Sequence, residues 1–294
     1  MEQFLQASVN GLLHGGLYAL IAVGFSLVWG VMHVVNIAHG AFVIIGAYIS
    51  WKLQAATGLD PLLGMLIAAV ALFGFGYVVQ RNLINRVINA PIWMTLLLTF
   101  GMELLLVNAL IIVFTGDYRS IQTSFASGGI DMGAVRVPFG RLLAFGLAIA
   151  LTTGLAIFIA RTRAGQAIRA TGMDRVTARL MGISAAHIYA LTFGISAALA
   201  AAAGTMVGIV GTFSPIDAGT YTLRSFVISV LGGLGNMWGA LAGGLLLGLV
   251  EAWGGQYIAG TLVNAIAFAV LIIVLLVRPS GLLGRPFYEA RAEV

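Results

Sequence analysis

Between residues 92 and 114 the chain reads IWMTLLLTFGMELLLVNALIIVF, 23 residues with a single charge, Glu103. That length and apolarity match the roughly 20 residues an α-helix needs to cross a bilayer. Comparable runs lie at about 9–30, 36–56, 61–80, 138–160, 188–212, 238–256 and 259–277, with a shorter one at 221–235. Pro61, Pro91, Pro138, Pro215, Pro279 and Pro286 fall at the edges of these runs, where a residue without an N–H starts or stops a helix. Only 9% of the chain is charged, against about 25% in a soluble domain, too little to cover a water-facing surface. The expected fold is therefore all-α: one polytopic transmembrane helix bundle over residues 1–294, with eight or nine membrane segments, some broken or of half length. The 221–235 run, which carries Arg224, reads as a half-helix or a re-entrant piece, with the arginine reaching to the outer surface. Only Glu2 is charged before Lys52, so the first run reads as a membrane helix rather than a cleavable leader with its positive n-region.

The charges that remain are not scattered. Residues 161–187, RTRAGQAIRATGMDRVTARLMGISAAH, hold Arg161, Arg163, Arg169, Arg175 and Arg179 against one acid, Asp174. A basic loop between two spans belongs in the cytoplasm, and its helical spacing suggests a short helix on the membrane surface. Arg81 and Arg86 mark a second cytoplasmic loop, and Arg278, Arg285 and Arg291 a cytoplasmic C-terminal tail. The 115–137 loop, with Asp117 and Asp131 against Arg119 and Arg136, has no net charge and reads as external. The connection near 31–35 has no lysine or arginine, so the side of the N-terminus stays open. The net charge of +5 is a topology signal and not a nucleic-acid one.

Several enzymatic and metal classes drop out. There is no cysteine, and His14, His33, His39 and His187 fit no ligand spacing, so no metal site is expected. The chain has no phosphate-binding loop and no nucleophile elbow; it is expected to be no enzyme and to hold no cofactor of its own.

A few polar residues interrupt the apolar runs. Asn36, His39 and Gly40, within VNIAHG, weaken a helix. In a bilayer such a break persists only where it is buried in protein or lines a cavity, as in the broken helices of transporters; a plain turn at the cytoplasmic surface is the other reading. Glu103 and Glu251 lie inside apolar runs, where an ionised group costs about 2.5–3.5 kcal/mol. Each either protonates, pairs with a neighbouring helix or faces an interior space. Asn108 and Asn264 pose the same choice. Gly11, Gly15 and Ala19, and likewise Gly235, Gly239 and Gly243, and Ala240, Gly244 and Gly248, recur every four residues, the pattern that lets helix backbones approach closely in lipid. No repeat between the two halves is evident.

Three motifs together resemble one family. The run from Gly165 through Arg169, Ala170, Thr171 and Gly172, followed by Ala178-Arg179-Leu180-Met181-Gly182-Ile183, is similar to the cytoplasmic signature of permease subunits of bacterial ATP-binding cassette importers, and most closely to the high-affinity branched-chain amino acid permeases of LivH type. The run Asn10 to Leu20 with Val35–Gly40, and Gly232 to Ala240, carry the same likeness over nearly the whole chain; Ile37 departs from the phenylalanine of many relatives. The resemblance implies a coupling helix at about 170–183, with Gly172 and Gly182 near its ends, held by a cytoplasmic ATPase. There Arg169, Arg175 and Arg179 would supply polar contacts, and Met181 and Ile183 an apolar foot. It implies import of leucine, isoleucine or valine across the bacterial inner membrane by alternating access. Its implied partners are a second permease (LivM-like, or another copy), two ATPases that bind the ATP, and a periplasmic solute-binding protein. Asn36, His39, Gly40, Glu103, Asn236 and Glu251 become the candidates for the solute path. A relative moving urea, short amides or other amino acids shares the motifs, and an ion-coupled carrier using Glu103 or Glu251 as a proton site is the alternative of a different class.

Overall fold

The computed structural model describes residues 2–123, 128–131, 133, 135–258 and 262–284; Pro286, Arg285 and Arg291 lie outside them, as does the side chain of Asn264. Its helices are α1 (Glu2–Met32), α2 (His39–Thr57), α3 (Pro61–Val79), α4 (Asn85–Val87), α5 (Ile92–Phe114), α6 (Phe139–Arg161), α7 (Arg163–Met173), α8 (Arg175–Leu180), α9 (Ala185–Val210), α10 (Ala218–Gly232), α11 (Met237–Tyr257) and α12 (Val263–Val277). A π-helical turn, Gln80–Ile84, joins α3 to α4, and a small antiparallel hairpin, β1 (Gly129–Asp131) with β2 (Arg136–Pro138), precedes α6. Among the described residues, six helices are long and apolar enough to cross a membrane: α1, α3 extended to Val87, α5, α6, α9 and α11. The 19-residue α2 and the 15-residue α10 and α12 complete the apolar set.

The punctuation works as expected from the side chains. Pro61 opens α3 behind Asp60, whose carboxylate accepts from Leu62 N at 2.8 Å. Pro91 precedes α5 and Pro138 precedes α6. The glycine rows bring backbones together in two directions. A Cβ on Gly15 would lie 2.7 Å from the Gly244 carbonyl, and one on Gly248 2.3 Å from that of Gly11, so α1 and α11 pack antiparallel at near-backbone contact. Gly239 and Gly243 instead face Gly232 and Ile228 of α10.

The basic island lies at one end of the bundle, beside the C-terminal end of α1: a Cβ on Gly172 would meet Gly30 O at 3.1 Å. Gln6 near the start of α1 exchanges hydrogen bonds with Arg136 of the hairpin at 2.9 and 2.7 Å, so the N-terminus and the 115–137 loop share the opposite end.

Two corrections concern the run 36–56 and the halves of the chain. Helix α2 begins at His39, and Asn36 belongs to the connection. His39 Nε2 lies 2.8 Å from Ile21 O, eleven residues back from Met32 along α1, or about 16 Å from the basic end. After α1 the chain turns back to half depth before α2 starts. Residues 211–217 do the same after α9, running in the opposite sense, and α10 starts where α2 does: a Cβ on Gly40 would be 1.9 Å from Ala218 O. The likeness extends further. Helix α9 packs along α3 as α1 packs along α11, and α2 lies on α3 as α10 lies on α11. The triplets α1–α2–α3 and α9–α10–α11 thus form an inverted pair. Its trace in sequence is slight: Ile37 and Gly40 match Ile216 and Gly219, and Ile49-Ser50 matches Ile228-Ser229 at equal spacing.

Candidate functional site

A chain that starts a helix in the middle of a bilayer leaves N–H and C=O groups without helical partners, each costing several kcal/mol in hydrocarbon. Here side chains from two other helices meet that need. Thr222 of α10 accepts from Gly40 N at 2.9 Å and donates to Ile37 O at 2.7 Å. Thr99 of α5 accepts from Ile37 N and lies within 3.3 Å of Val35 O. Glu103 stands one turn along the same face of α5 and is buried, with Oε1 3.6 Å from where a Cβ on Gly219 would sit. Most of α5 outside the stripe Thr95, Thr99, Glu103 and Leu110 is only partly buried or exposed. The break therefore joins α1, α2, α5 and α10 at one point.

Asn36, His39, Gly40 and Glu103 meet at this junction. Asn36 is 1% exposed and neither end of its amide has a partner among the described residues; His39 is fully buried and its Nδ1 is likewise unpartnered. Gly40 is held by close approach to α10. Asn236 lies elsewhere, at the basic end, where its Oδ1 caps α11 by accepting from Gly239 N (3.0 Å) and its Nδ2 donates to Leu283 O (2.7 Å). Glu251 lies on the other side of α10. It accepts from the Tyr18 hydroxyl at 2.5 Å and faces the Arg224 guanidinium at 3.9 Å, which in turn sits 4.9 Å from the Tyr18 ring centre. His14 packs edge-on against Tyr18. Arg224, expected to reach the outer surface, faces Glu251 of α11, with 27% of its side chain exposed. Thr99 and Thr222 have no signature in the sequence, because a hydroxyl inside an apolar run shows its role only once its partner is known.

Replacing Thr222 with valine keeps the shape but removes both bonds, leaving Gly40 N and Ile37 O unpaired. We expect a loss of about 2–4 kcal/mol in unfolding stability, read as a fall in thermal midpoint in detergent and restored by Thr222→Ser. An unchanged midpoint for Thr222→Val would remove this account of the break.

The basic island forms the second site, and it corrects the single helix expected over 170–183. Two helices meet at Asp174. Its carboxylate caps α8 by accepting from Val176 N (2.8 Å), Thr177 N (3.3 Å) and the Thr177 hydroxyl, and these bonds, the hydroxyl's first, hold its pKa below the usual carboxylate value. Thr162 caps α7 through Gly165 N at 3.0 Å. Gly165 sits at a tight corner where a Cβ would meet Phe158 O at 2.3 Å. Gly165, Ile168 and Thr171 face inward, while Arg169, Arg175 and Arg179 are exposed and Ala170 is partly covered. The left-handed Gly182 (φ 81°) ends the turn after α8. Met173, Val176, Leu180 and Met181 are 76, 62, 82 and 78% exposed, an apolar knob ringed by arginines and turned away from the bundle. Ile183, expected in that foot, packs instead against the core; Met173, Val176 and Leu180 take its place.

A bundle of membrane-length helices, broken at half depth and carrying an exposed amphipathic foot, defines a multi-pass membrane transport component. Residues 7–275 match the family described as branched-chain amino acid transport system / permease component, and the chain belongs to that family. It is 37% identical to the high-affinity branched-chain amino acid transport system permease protein BraD of Pseudomonas aeruginosa, and 35% identical to the permease protein LivH of Escherichia coli, each over 97% of both chains. The permease protein LivM of Escherichia coli is 28% identical over 79% of this chain and 60% of its own length.

Proposed function

We propose that this chain is a permease subunit of an ATP-binding cassette importer that carries leucine, isoleucine and valine across the bacterial inner membrane. The observation that carries the reading is the likeness to BraD and LivH over 97% of both chains. The likeness to LivM favours a related second permease beside it, over a second copy. The cytoplasmic side is the basic end, following the arginine distribution, so the C-terminus is inside and the N-terminus outside. On that reading nine segments enter the membrane, with α2 and α10 starting within it.

Alternating access follows from the two sites. Two cytoplasmic ATPases bind ATP and hold α7–α8, with Arg169, Arg175 and Arg179 as polar contacts and Met173, Val176, Leu180 and Met181 as the apolar foot. Their closure displaces the foot, and helices joined to it change tilt. The junction of Asn36, His39, Gly40 and Glu103 is the part of the solute path that responds: α2 and α10 both start there, so a small tilt opens or closes it without unmaking a continuous helix. A periplasmic binding protein delivers the solute, so this chain needs few polar contacts of its own. Exposed foot residues do not hold the bundle together. We therefore expect Arg179→Glu with Leu180→Asp to insert normally yet lose ATPase co-purification by about tenfold or more and to lose uptake. The overall reading is tested by purifying the chain with its co-purifying subunits and finding which amino acids stimulate ATP hydrolysis. Stimulation by urea or amides alone would overturn the solute, and uptake without ATPases would overturn the mechanism.

A further inference from the structure

The foot α8 touches the bundle at more than its chain ends. Arg175, its first residue, donates from Nη1 to Oδ1 of Asn89 at 2.7 Å. Asn89 lies in the turn between α4 and α5, two residues before Pro91. On the other flank of α8, where α9 begins, Asn85 Nδ2 donates to Ala186 O at 3.1 Å. Next to it Tyr77 and His187 meet at 2.8 Å, hydroxyl to Nδ1, and Arg81 donates to the same phenol oxygen at 3.1 Å. The segment 77–89 is therefore gripped on both sides of α8 by residues from the stretch that carries the foot.

That segment is built to bend. Gln80–Ile84 is π-helical, with one residue too many for an α-turn, a geometry that concentrates where helices shift register or hinge. Gln80 is fully buried; its Nε2 donates to Asn85 Oδ1 at 3.0 Å across the turn, and its Oε1 has no partner among the described residues. Beyond the turn, α5 runs 23 residues without interruption. Ten residues after Asn89 it presents Thr99 to the break at Val35 and Ile37.

We propose that the Arg175–Asn89 hydrogen bond is a coupling strap. It carries the displacement of α8 into α5, and through Thr99 to the half-depth junction, with the π-turn as the hinge that lets the α4–α5 turn move while α3 stays packed on α9. This rests on α8 being the ATPase contact. It adds to that reading a second, non-covalent route, since the chain itself joins α8 only to α6, through α7, and to α9. A charge-assisted bond to a neutral amide is short and directional, which suits transmission of a small movement better than an apolar contact that slides. Asn89 is a positioning residue here, acting on the junction through α5.

The test uses the complete transporter in proteoliposomes, with ATPases and binding protein, and reads ATP hydrolysed per solute imported. Asn89→Ala is expected to raise that ratio about three- to tenfold, with ATPases co-purifying in the wild-type proportion and the thermal midpoint unchanged. Asn89→Asp, whose carboxylate still accepts from Arg175, is expected to restore the wild-type ratio. A wild-type ratio for Asn89→Ala overturns the strap. So does an Asn89→Asp variant as poor as Asn89→Ala, which would assign the effect to the turn. The underlying docking reading fails separately, if the Arg179→Glu, Leu180→Asp variant keeps its ATPases.

Discussion

Gly40→Ala will cost the protein most of its stability, although one methyl group is all it adds. The new Cβ would stand 1.9 Å from Ala218 O and 2.7 Å from Thr222 Oγ1, and the first of these is backbone that no rotamer change can move. Helix α10 must retreat from α2, and the retreat also breaks the two bonds of Thr222 to Gly40 N and Ile37 O. Overpacking of about 1–3 kcal/mol adds to two unpaired backbone groups at about 1–3 kcal/mol each. The sum, about 3–9 kcal/mol, is comparable with the whole stability of many domains. Gly74 of α3 is the matched control, because nothing lies within 4 Å of its would-be Cβ and alanine is a better helix former. The comparison is the thermal midpoint and the yield of monodisperse protein in one detergent. Equal midpoints for Gly40→Ala and Gly74→Ala would show that α2 and α10 do not meet as described.

Glu251→Leu is also costly. It leaves Arg224 partly buried, with 27% of its side chain exposed, beside Tyr18 and without its carboxylate. Breaking one side of a buried pair costs about 3–5 kcal/mol; with the guanidinium partly open, about 2–3 kcal/mol is expected. Arg224→Leu alone strands the carboxylate, though the Tyr18 hydroxyl still serves it. The double change to leucine removes both charges from an apolar setting and should recover most of the loss. Thermal midpoints of the four proteins form a double-mutant cycle. Additive losses would mean that the two groups do not interact. Transport measured alongside separates structure from path: a Glu251→Leu, Arg224→Leu protein that still imports solute takes Glu251 off the route.

Much of this architecture is legible in the residues. Proline and apolar length place the ends of α3, α5 and α6 because both effects are local: a missing N–H and the width of a bilayer need no tertiary partner. The arginine cluster at 161–179 likewise marks the end of the bundle and the place of the foot. The kink at Asp174 was harder to see. It depends on one carboxylate caring more for three donors ahead of it, Val176 N, Thr177 N and the Thr177 hydroxyl, than for continuing a helix. Ile183 went into the core for a similar reason: the turn at Gly182 reverses the chain and carries the next side chain inward.

The candidate path divides in the same way. Asn36, His39 and Gly40 stand out in sequence because polar and small residues are conspicuous in an apolar run, and Glu103 because it is charged. Asn236 and Glu251 stand out equally, yet one caps a helix and the other pairs with Arg224. Residue type says that a group needs a partner; it does not say which helix will bring one.

The order of the apolar runs, their punctuation and the placing of the positive charge were settled by the chain alone, since each reports an exchange between a local segment and its solvent. The half-depth meeting of α2 and α10, the inverted pairing of the two triplets and the bond from Arg175 to Asn89 were settled only by folding. These are contacts between residues as far apart in the chain as Gly11 and Gly248, and the hydroxyls and glycines that make them have no meaning until the backbone they touch is beside them.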